Sequence, residues 1–381
     1  MDISENILTC HLCSSTDITL YPESACFNRV TSDCKPWSSG ENLAYCNSCN
    51  TVQALITDRW RVDAEQIYKN YEIYHQGAGL EQAVFDVNGF CQTRSSRLIS
   101  KLSAEVKIKE KGRILDVGCA NGNFLRAFSV VFKKWQLYGA EFDTKHVSDL
   151  KCINNFSTLY TGPLGLINEK FDIISLIHTL EHIESPLNFL QEINRLLAPG
   201  GIVFVQVPYF MENPFELMTA DHATHFDSKS LVKMLNLAGF QVPKLSSKWV
   251  SKELSAVATH RSNLGVSVDL EEELSDINVK QSLEWIRLFL DKAKAVQACS
   301  GSFGIFGSSI AATWLASNLP KPPDFFVDED PARVGGTHMN QKIFLPSEAP
   351  RPASIFIALQ KNASDHIFSR FGNDIHRKWI Q

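Results

Sequence analysis

The stretch Arg113-Ile-Leu-Asp-Val-Gly-Cys-Ala-Asn-Gly-Asn-Phe124 decides the fold of this 381-residue chain. Its apolar run ends in Asp116, and the chain then turns through Gly118 and Gly122 into a helix-like segment. A strand, a glycine turn and a helix start in this order present backbone N–H groups and a helix N-terminus to an anionic or polar ligand. The spacing is not Gly-x-Gly-x-x-Gly, and no Gly-Lys-Ser/Thr follows. A dinucleotide or a P-loop phosphate is therefore a poor fit.

The segments that follow repeat the alternation of strand and helix. A second strand ends in Glu141, roughly 20 residues beyond the glycine turn, where an acidic side chain suits the hydroxyls of a ribose. A third buried strand covers residues 171–178, and a helix with apolar residues at helical spacing covers 187–197. Pro199-Gly-Gly201 ends that helix, and a further strand covers 202–208. Continuous apolar strands alternating with helices predict an α/β fold with a parallel, doubly wound sheet.

The motif Asp-x-Gly-x-x-x-Gly resembles the first motif of class I S-adenosylmethionine (SAM) methyltransferases, and the order strand, Leu-Glu-His, helix, Pro-Gly-Gly, strand matches that family as well. The resemblance implies that SAM is the cofactor and that the turn holds its methionine end. The cofactor residues that it implies are Asp116, Gly118, Cys119, Ala120, Asn121, Gly122, Glu141 and His178. We expect His178 to contact the methionine end or the substrate, and Cys119 to pack inside the turn. The alternative is a Rossmann-like domain that binds another nucleotide.

Composition bounds the class of protein. The chain is 44% hydrophobic and carries a formal net charge of -5, which argues against a nucleic-acid partner because such partners require a basic surface. No apolar stretch is long enough to span a membrane, and the acidic start Met1-Asp-Ile-Ser-Glu5 is unlike a signal peptide. We therefore expect a cytoplasmic protein with neither a nucleic-acid partner nor a membrane partner.

Six of the ten cysteines lie in the first 50 residues, and four of them form the pairs Cys10-His-Leu-Cys13 and Cys46-Asn-Ser-Cys49. Two Cys-x-x-Cys pairs supply the four thiolates of a tetrahedral structural zinc site. A cytoplasmic location disfavours disulfides, and a redox site would need one pair alone. The sequence leaves open whether Cys26 or Cys34 joins the metal site. Their default interpretation is that of small buried hydrophobic residues.

The length predicts two or three domains, and the composition changes along the chain suggest five segments. These are a zinc-binding module (1–60), a helical connector (61–110), a SAM-binding domain (111–250), a helical linker (251–299) and a smaller Rossmann-like domain (300–381). We expect connector helices over 64–74 and 85–102, and a linker helix over 268–297. The last segment opens with a strand and a turn at Gly307, and its second strand ends in acidic residues 328–330. We expect no second cofactor there, because the turn resembles a dinucleotide fingerprint only weakly.

Zinc knuckles, a SAM domain and a Rossmann-like tail in this order resemble the nucleotide-sugar C-methyltransferases, which methylate a carbon beside a keto group of a dTDP-linked deoxysugar. The resemblance covers nearly the whole chain and is most specific at the cysteine pairs, the glycine turn, residues 179–183, the Asp221-His222 pair and residues 326–331. It implies that the tail helps to form the sugar-nucleotide site. Residues 27–37 depart from the family's usual segment and receive no role.

The same resemblance implies the catalytic residues. His182 matches the position of the base, His222 is the alternative base, and Asp221 orients a histidine or a sugar hydroxyl. Tyr74 lies in the family's aromatic region near the sugar, and its neighbours Tyr71 and His75 share that expectation, with interdomain packing as the alternative. The family pattern Tyr-x-Glu-His is here Thr-Ala-Asp-His, which leaves the sugar and the methylated position open. We expect His225 to be a packing residue at a helix start.

A carbon beside a ketone loses its proton only if a base meets the C–H bond and the developing enolate oxygen is stabilised. A neutral histidine is a suitable base near pH 7, and the enolate carbon can then attack the methyl group of SAM. Two alternatives remain from the sequence. One is an O- or N-methyltransferase acting on another small molecule, a glycan or RNA, and the other is a SAM-binding scaffold without acceptor chemistry.

Overall fold

The computed structural model describes residues 8–40, 42–72, 81, 83–85, 91–261 and 276–381 of the chain. Within these residues the helices are α1 (Asp58–Lys69), α2 (Arg94–Glu105), α3 (Asn123–Val131), α4 (Val147–Lys151), α5 (Pro186–Leu196), α6 (Ser228–Leu237), α7 (Asp276–Ala298), α8 (Ile310–Asn318) and α9 (Lys361–Phe371). The strands are β1 (Ile18–Tyr21), β2 (Arg29–Val30), β3 (Pro36–Trp37), β4 (Leu43–Cys46), β5 (Val52–Ala54), β6 (Ala83–Phe85), β7 (Cys91–Thr93), β8 (Arg113–Val117), β9 (Gln136–Ala140), β10 (Phe156–Tyr160), β11 (Phe171–Ile177), β12 (Leu197–Pro208), β13 (Thr224–His225), β14 (Phe240–Ser246), β15 (Glu253–His260), β16 (Phe303–Phe306), β17 (Phe325–Val327), β18 (Thr337–His338), β19 (Gln341–Phe344), β20 (Ala353–Ile357) and β21 (Arg377–Ile380).

The central sheet has seven strands in the order β10-β9-β8-β11-β12-β15-β14. Strands β8 to β12 are parallel, whereas β15 is antiparallel to β12 and β14 is antiparallel to β15. The chain order reverses between β8 and β11, and open α/β sheets bind ligands at the carboxyl ends of the strands beside such a reversal. The predicted α/β class with a doubly wound sheet is confirmed, and the reversal places the glycine turn at the ligand edge.

The C-terminal sheet has six strands in the order β18-β19-β17-β16-β20-β21, of which all but β18 run parallel to their neighbours. Helix α7 packs against it with the predicted apolar stripe, whose members Leu283, Ile286, Leu290 and Ala293 are buried. Residues 268–275 of the predicted linker helix lie outside the described residues. In the part of the chain that the structure describes, we find no helix whose length and apolar character would allow it to cross a membrane.

A third sheet joins two distant parts of the chain. Its order is β1-β4-β5-β13, so three strands come from the first 54 residues and the fourth comes from residues that follow the central strand β12. In the antiparallel pair of β5 and β13, Thr224 lies opposite Gln53 and His225 lies opposite Val52. The cysteine-bearing segment therefore lies directly against the loop that carries the Asp221-His222 pair.

The connector differs from the two helices that the periodicity predicted. The first helix begins at Asp58 rather than at residue 64, because the side chain of Thr57 caps it by accepting a hydrogen bond from the Trp60 N–H, and it ends at Lys69. The second predicted helix over 85–102 was wrong at its start. Strand β6 pairs with β7 instead, and α2 begins after Thr93, whose side chain caps that helix. Apolar spacing alone did not reveal either cap.

Candidate functional site

The glycine turn connects β8 to α3 at the carboxyl edge of the central sheet. Gly118 has φ +76°, and a Cβ atom at this position would lie 2.4 Å from Oγ1 of Thr179. Both the left-handed backbone and the close approach favour glycine. The Thr179 hydroxyl donates a hydrogen bond of 2.9 Å to the carbonyl oxygen of Val117, so the turns that follow β8 and β11 are held together.

Glu141 follows β9 directly, and its carboxylate lies against the glycine turn. Oε2 accepts a hydrogen bond of 3.0 Å from the Ala120 N–H, and Oε1 accepts one of 2.8 Å from the Phe142 N–H. Glu141, which is predicted to bind the ribose, therefore contacts the turn that is predicted to bind the methionine end of SAM, although 21 residues separate Glu141 from Ala120. Asn121 lies in the same turn and is half-buried.

Asp116 and Cys119 are buried residues that pack at the base of the glycine turn. Asp116 is buried and accepts a hydrogen bond of 2.7 Å from the Ser175 hydroxyl. Burial raises the pKa of Asp116 to about 7, although the hydrogen bond from Ser175 opposes the shift. Burial also raises the pKa of the Cys119 thiol, and a Cβ atom on Gly139 would lie 2.6 Å from its sulfur. Cys119 therefore fits the packing role that the sequence suggested for it.

His178 follows β11 with a left-handed backbone, φ +51°, and its ring lies between two carboxylates. Nδ1 is 3.1 Å from Glu181 and Nε2 is 3.3 Å from Glu253, which also pairs with Arg94 at 3.0 Å. Burial alone would lower the pKa of His178, but the two carboxylates outweigh it and raise the pKa to about 9. His178 is therefore an imidazolium in an internal network. Its contact with cofactor or substrate stays a prediction.

His182 ends the short 3-10 turn Leu180–His182 and meets two groups through Nδ1. The hydroxyl of Tyr68, on α1, lies 2.9 Å from Nδ1, and the carbonyl oxygen of Asp221 lies 3.1 Å from it. A carbonyl oxygen can only accept, which favours the tautomer that carries its proton on Nδ1 and its lone pair on Nε2. Burial lowers the pKa of His182, and the neighbouring His222 lowers it further, which favours the neutral ring.

His222 packs edge-on against His182, with ring centroids 4.7 Å apart, and is 3% exposed. Its Nδ1 is hydrogen-bonded to Oε1 of Glu216, a buried residue of the 3-10 turn Pro214–Met218. Burial would lower the pKa of His222, but the carboxylate of Glu216 raises it to about 9. The same ion pair overcomes burial at Glu216 and lowers the pKa of that group to about 2. The surroundings of the two adjacent histidines therefore favour opposite forms, neutral for His182 and protonated for His222.

The structure corrects the expectation for His225 and shows the partners of the Asp221 side chain. His225 lies in β13, not at a helix start, and its Nδ1 is 3.3 Å from Oε1 of Glu216, while α6 begins at Ser228. The Asp221 side chain does not bind its neighbour His222. Its two oxygens accept hydrogen bonds from Ser32, and Oδ2 lies 3.5 Å from Nδ1 of His182.

Three residues of this site were missed by sequence reasoning: Glu216, Tyr68 and Ser32. Ser32 lies 189 residues from its partner, and no local pattern signals such a contact. Tyr68 lies three residues before Tyr71, but the resemblance implied site roles for Tyr71, Tyr74 and His75 only. Tyr74 and His75 lie outside the described residues, so their predicted roles remain untested.

The sulfur atoms of Cys10, Cys13, Cys46 and Cys49 all lie within 4.8 Å of one another. Two of the sulfur pairs, Cys10 with Cys49 and Cys13 with Cys46, are 3.5 Å apart. Four thiolates at about 2.3 Å from a zinc ion would be separated by about 3.8 Å, so the donor set and its spacing fit tetrahedral zinc. Among the described residues, this group of thiols does not include Cys26 or Cys34.

Comparisons with known proteins agree on one domain. Residues 87–245 match the model of a methyltransferase domain family. A tRNA U34 carboxymethyltransferase of Desulfotalea psychrophila is 24% identical over 174 residues, which cover 42% of this chain and 54% of the relative. A sterol 24-C-methyltransferase of Clavispora lusitaniae is 23% identical over 226 residues, which cover 57% of this chain and 56% of the relative. This chain thus spans about half the length of these curated relatives.

Among solved structures, a SAM-dependent methyltransferase from Clostridium acetobutylicum aligns with a TM-score of 0.37 at 9% identity, and the alignment covers 54% of this chain and 99% of that one. The segment that matches the family model includes the glycine turn, Glu141 and the Asp221-His222 pair. The chain therefore contains a class I SAM-dependent methyltransferase domain, as the glycine turn and the order of its strands predicted.

Proposed function

We propose that the chain is a SAM-dependent C-methyltransferase that methylates a carbon beside a keto group of a nucleotide-linked deoxysugar. The observation that carries this proposal is the pair of adjacent histidines, His182 and His222, whose ring centroids lie 4.7 Å apart and of which only His222 is bound to the carboxylate of Glu216. Formation of an enolate needs a base and a hydrogen-bond donor close together. The resemblance to the nucleotide-sugar C-methyltransferases supplies the substrate class.

His182 is the proposed base. Its protonated Nδ1 faces the carbonyl oxygen of Asp221 and the hydroxyl of Tyr68, which leaves the lone pair of Nε2 to accept the substrate proton. The His182 side chain is 17% exposed, whereas that of Asp221 is fully buried, so His182 is the member of this pair that a substrate can reach. The 3-10 turn that carries His182 adjoins Thr179, which packs against the glycine turn of the cofactor site.

His222 is the proposed donor to the enolate oxygen. Glu216 holds Nδ1 and keeps the ring protonated, so Nε2–H remains as a donor on the opposite side of the ring. When the C–H bond breaks, its proton moves to His182 and its electron pair moves toward the carbonyl oxygen, where the imidazolium charge stabilises it. SAM supplies the methyl group that the enolate carbon accepts. Glu216 is thus a positioning residue, because it acts on the substrate through His222.

The four clustered cysteines are proposed to hold one structural zinc ion. The ion takes no part in the reaction in this scheme. Its module shares a sheet with β13, so the metal would stabilise the loop that carries His222 and His225. Elemental analysis of the purified chain tests this proposal, and a zinc content well below one ion per chain, in protein that retains the fold, would contradict it.

O-methylation of a sugar or another small molecule is the second candidate. The neutral His182 that supports carbon deprotonation would serve equally as the base for a hydroxyl. RNA is a weaker acceptor candidate because the chain has a net charge of -5, although one relative is named as a tRNA-modifying enzyme. Methylation at carbon and methylation at oxygen differ in one observable step. Only methylation at carbon requires a C–H bond to break, and the proton lost from it can exchange with solvent.

Solvent deuterium exchange distinguishes these candidates. The chain is incubated in D₂O with a dTDP-linked keto-deoxysugar and S-adenosylhomocysteine, and mass and NMR spectra of the sugar are recorded. We expect deuterium to enter beside the keto group, and His182→Asn to slow this exchange by about 10²- to 10⁴-fold while the affinity for SAM is unchanged. The matched control is His366→Asn on the exposed face of α9, which should exchange like the wild type. No deuterium entry in this mixture, together with methyl transfer to oxygen when SAM replaces S-adenosylhomocysteine, would overturn the C-methyltransferase proposal.

A further inference from the structure

The turn between β2 and β3, residues 31–35, is the part of segment 27–37 to which the sequence assigned no role. It is held by its own hydrogen bonds. The Thr31 N–H donates to the carbonyl oxygen of Lys35 at 2.8 Å, and the Cys34 N–H donates to that of Thr31 at 2.8 Å. The Thr31 hydroxyl also donates to Asp33 at 2.5 Å, and Cys34 adopts φ +65°. These contacts fix the position of Ser32 at the tip.

Ser32 binds both oxygens of a residue in the candidate catalytic loop. Its N–H donates to Oδ1 of Asp221 at 2.8 Å, and its hydroxyl donates to Oδ2 at 2.5 Å. The Asp221 side chain is fully buried, so water does not substitute for these donors. A second link lies next to the first, because the Ala220 N–H donates to the carbonyl oxygen of Val30 at 2.8 Å.

The Ser32 hydroxyl competes with His182 for one oxygen. Oδ2 of Asp221 accepts from Ser32 and also lies 3.5 Å from Nδ1 of His182, beyond good hydrogen-bond distance. The nearer partner of that nitrogen is the carbonyl oxygen of the same aspartate, at 3.1 Å. A carboxylate freed from Ser32 would turn toward Nδ1 and favour an imidazolium, because an opposite charge at close range stabilises the charged form.

We propose that Ser32 is a positioning residue of the catalytic site, which holds the Asp221 carboxylate off His182 and so keeps His182 neutral and able to act as the base. The role in catalysis rests on the function proposed above, whereas the effect on the charge of His182 does not. The proposal also gives a function to the turn 31–35, which is the route by which the N-terminal segment reaches the reaction centre.

Other charged and titratable groups also face His182. They are His222, which follows the 3-10 turn 214–218 in the chain, Glu181 in the same turn as His182, Tyr68 on α1, and Asp221. His222 opposes protonation of His182, whereas Glu181 and Asp221 favour it. A change at Ser32 alters the position of one of these groups, Asp221, and leaves the covalent identity of all of them intact.

The test measures the protonation of His182 directly. Protein labelled with ¹⁵N-histidine is titrated by NMR, and His182→Asn identifies the resonance. We expect Ser32→Ala to raise the pKa of His182 by about one unit relative to the wild type. Ser32→Thr, which keeps the hydroxyl, should restore the wild-type value. Ser38→Ala, an exposed serine just beyond β3, should also titrate like the wild type.

The kinetic arm reports the consequence for the base. The acid limb of the deuterium exchange profile should move upward with the pKa of His182 in Ser32→Ala, and the affinity for SAM should stay constant. An unchanged pKa of His182 in a Ser32→Ala protein that still binds SAM would overturn the proposal. If no keto-sugar nucleotide is turned over by any variant but the NMR shift occurs, the proposed substrate fails while the positioning role of Ser32 stands.

Discussion

Two glycine turns in this chain share the order strand, glycine turn, helix, strand and acidic residue, but they have different surroundings. In the central sheet, β8 leads through Gly118 into α3, and the acidic residue after the next strand is Glu141. In the C-terminal sheet, β16 leads through Gly307, φ +102°, into α8, and the corresponding acidic residue is Asp328. Both acids face back toward their own turn, as the alternation of parallel strands and helices requires.

The difference lies in what each acid binds. Glu141 accepts hydrogen bonds from two backbone N–H groups and has no cationic partner among the described residues. Asp328 accepts a hydrogen bond of 2.5 Å from the Ser308 hydroxyl and pairs with Arg333 at 3.4 Å. A ligand that approached the second turn would have to displace a side-chain hydroxyl and an arginine. A shared glycine pattern therefore identifies a fold, whereas the partners of the acid decide whether a ribose can be bound.

Matched glycine substitutions should give the largest contrast between the two turns. Gly118→Ala places a Cβ atom against Thr179 in a left-handed backbone, and we expect the affinity for SAM to fall by roughly 100-fold, or about 2.7 kcal/mol. Gly307→Ala also strains a left-handed residue, but its Cβ atom would meet nothing closer than 3.8 Å. It should leave SAM binding unchanged in isothermal titration. Equal losses in both variants would remove the distinction between the turns.

The pH dependence of stability should differ between the two regions. The folded pKa of His222, about 9, exceeds its ordinary value of 6.5, so its stabilising contribution is complete below pH 6.5 and is lost as the pH rises through 9. We expect hydrogen exchange near β13 to show a loss on the order of 2 kcal/mol over this window. The Asp328–Arg333 pair joins a carboxylate to a guanidinium and contains no histidine, so we expect β16 and β17 to show no such loss.

Glu216→Gln isolates that effect from other titrations of the central domain. The variant removes the carboxylate that raises the pKa of His222, so the part of the decline between pH 6.5 and 9 that His222 causes should be lost, while the part due to His178 remains. Asp328→Asn is the matched change in the C-terminal sheet and should keep the wild-type decline. A decline of the same size in both variants would show that the Glu216–His222 pair does not cause it.

The contrast between the two glycine turns also shows which parts of the fold and of the site can be predicted from the sequence. The strands, the glycine turn and the acid at position 141 follow from local spacing, and the structure has them in the predicted order. The site around His182 could be predicted only in part, because its partners come from three separate segments of the chain. Ser32 and Glu216 have no periodic pattern, and their roles depend on the pairing of β13 with the N-terminal sheet.

The N-terminal caps of the two connector helices were a second feature that the sequence analysis did not predict. Thr57 and Thr93 are both of a residue type that caps helices, but the apolar spacing predicted one helix start after Thr57, at residue 64, and the other before Thr93, at residue 85. The pairing of β6 with β7 replaced the start of the second predicted helix. Local propensity was therefore overruled by a contact between neighbouring strands that periodicity does not record.

The smallest effect expected comes from the two acids themselves. Glu141→Gln keeps the shape of the side chain but weakens its hydrogen bonds to hydroxyl donors, and we expect about a tenfold loss in SAM affinity. Asp328→Asn should leave that affinity unchanged, because its carboxylate binds Ser308 and Arg333 rather than the cofactor edge. Isothermal titration with SAM measures both. If Glu141→Gln bound SAM as tightly as the wild type, Glu141 would serve only to hold the glycine turn through its hydrogen bonds. Glu141 and Asp328 would then both have structural roles and no role in cofactor binding.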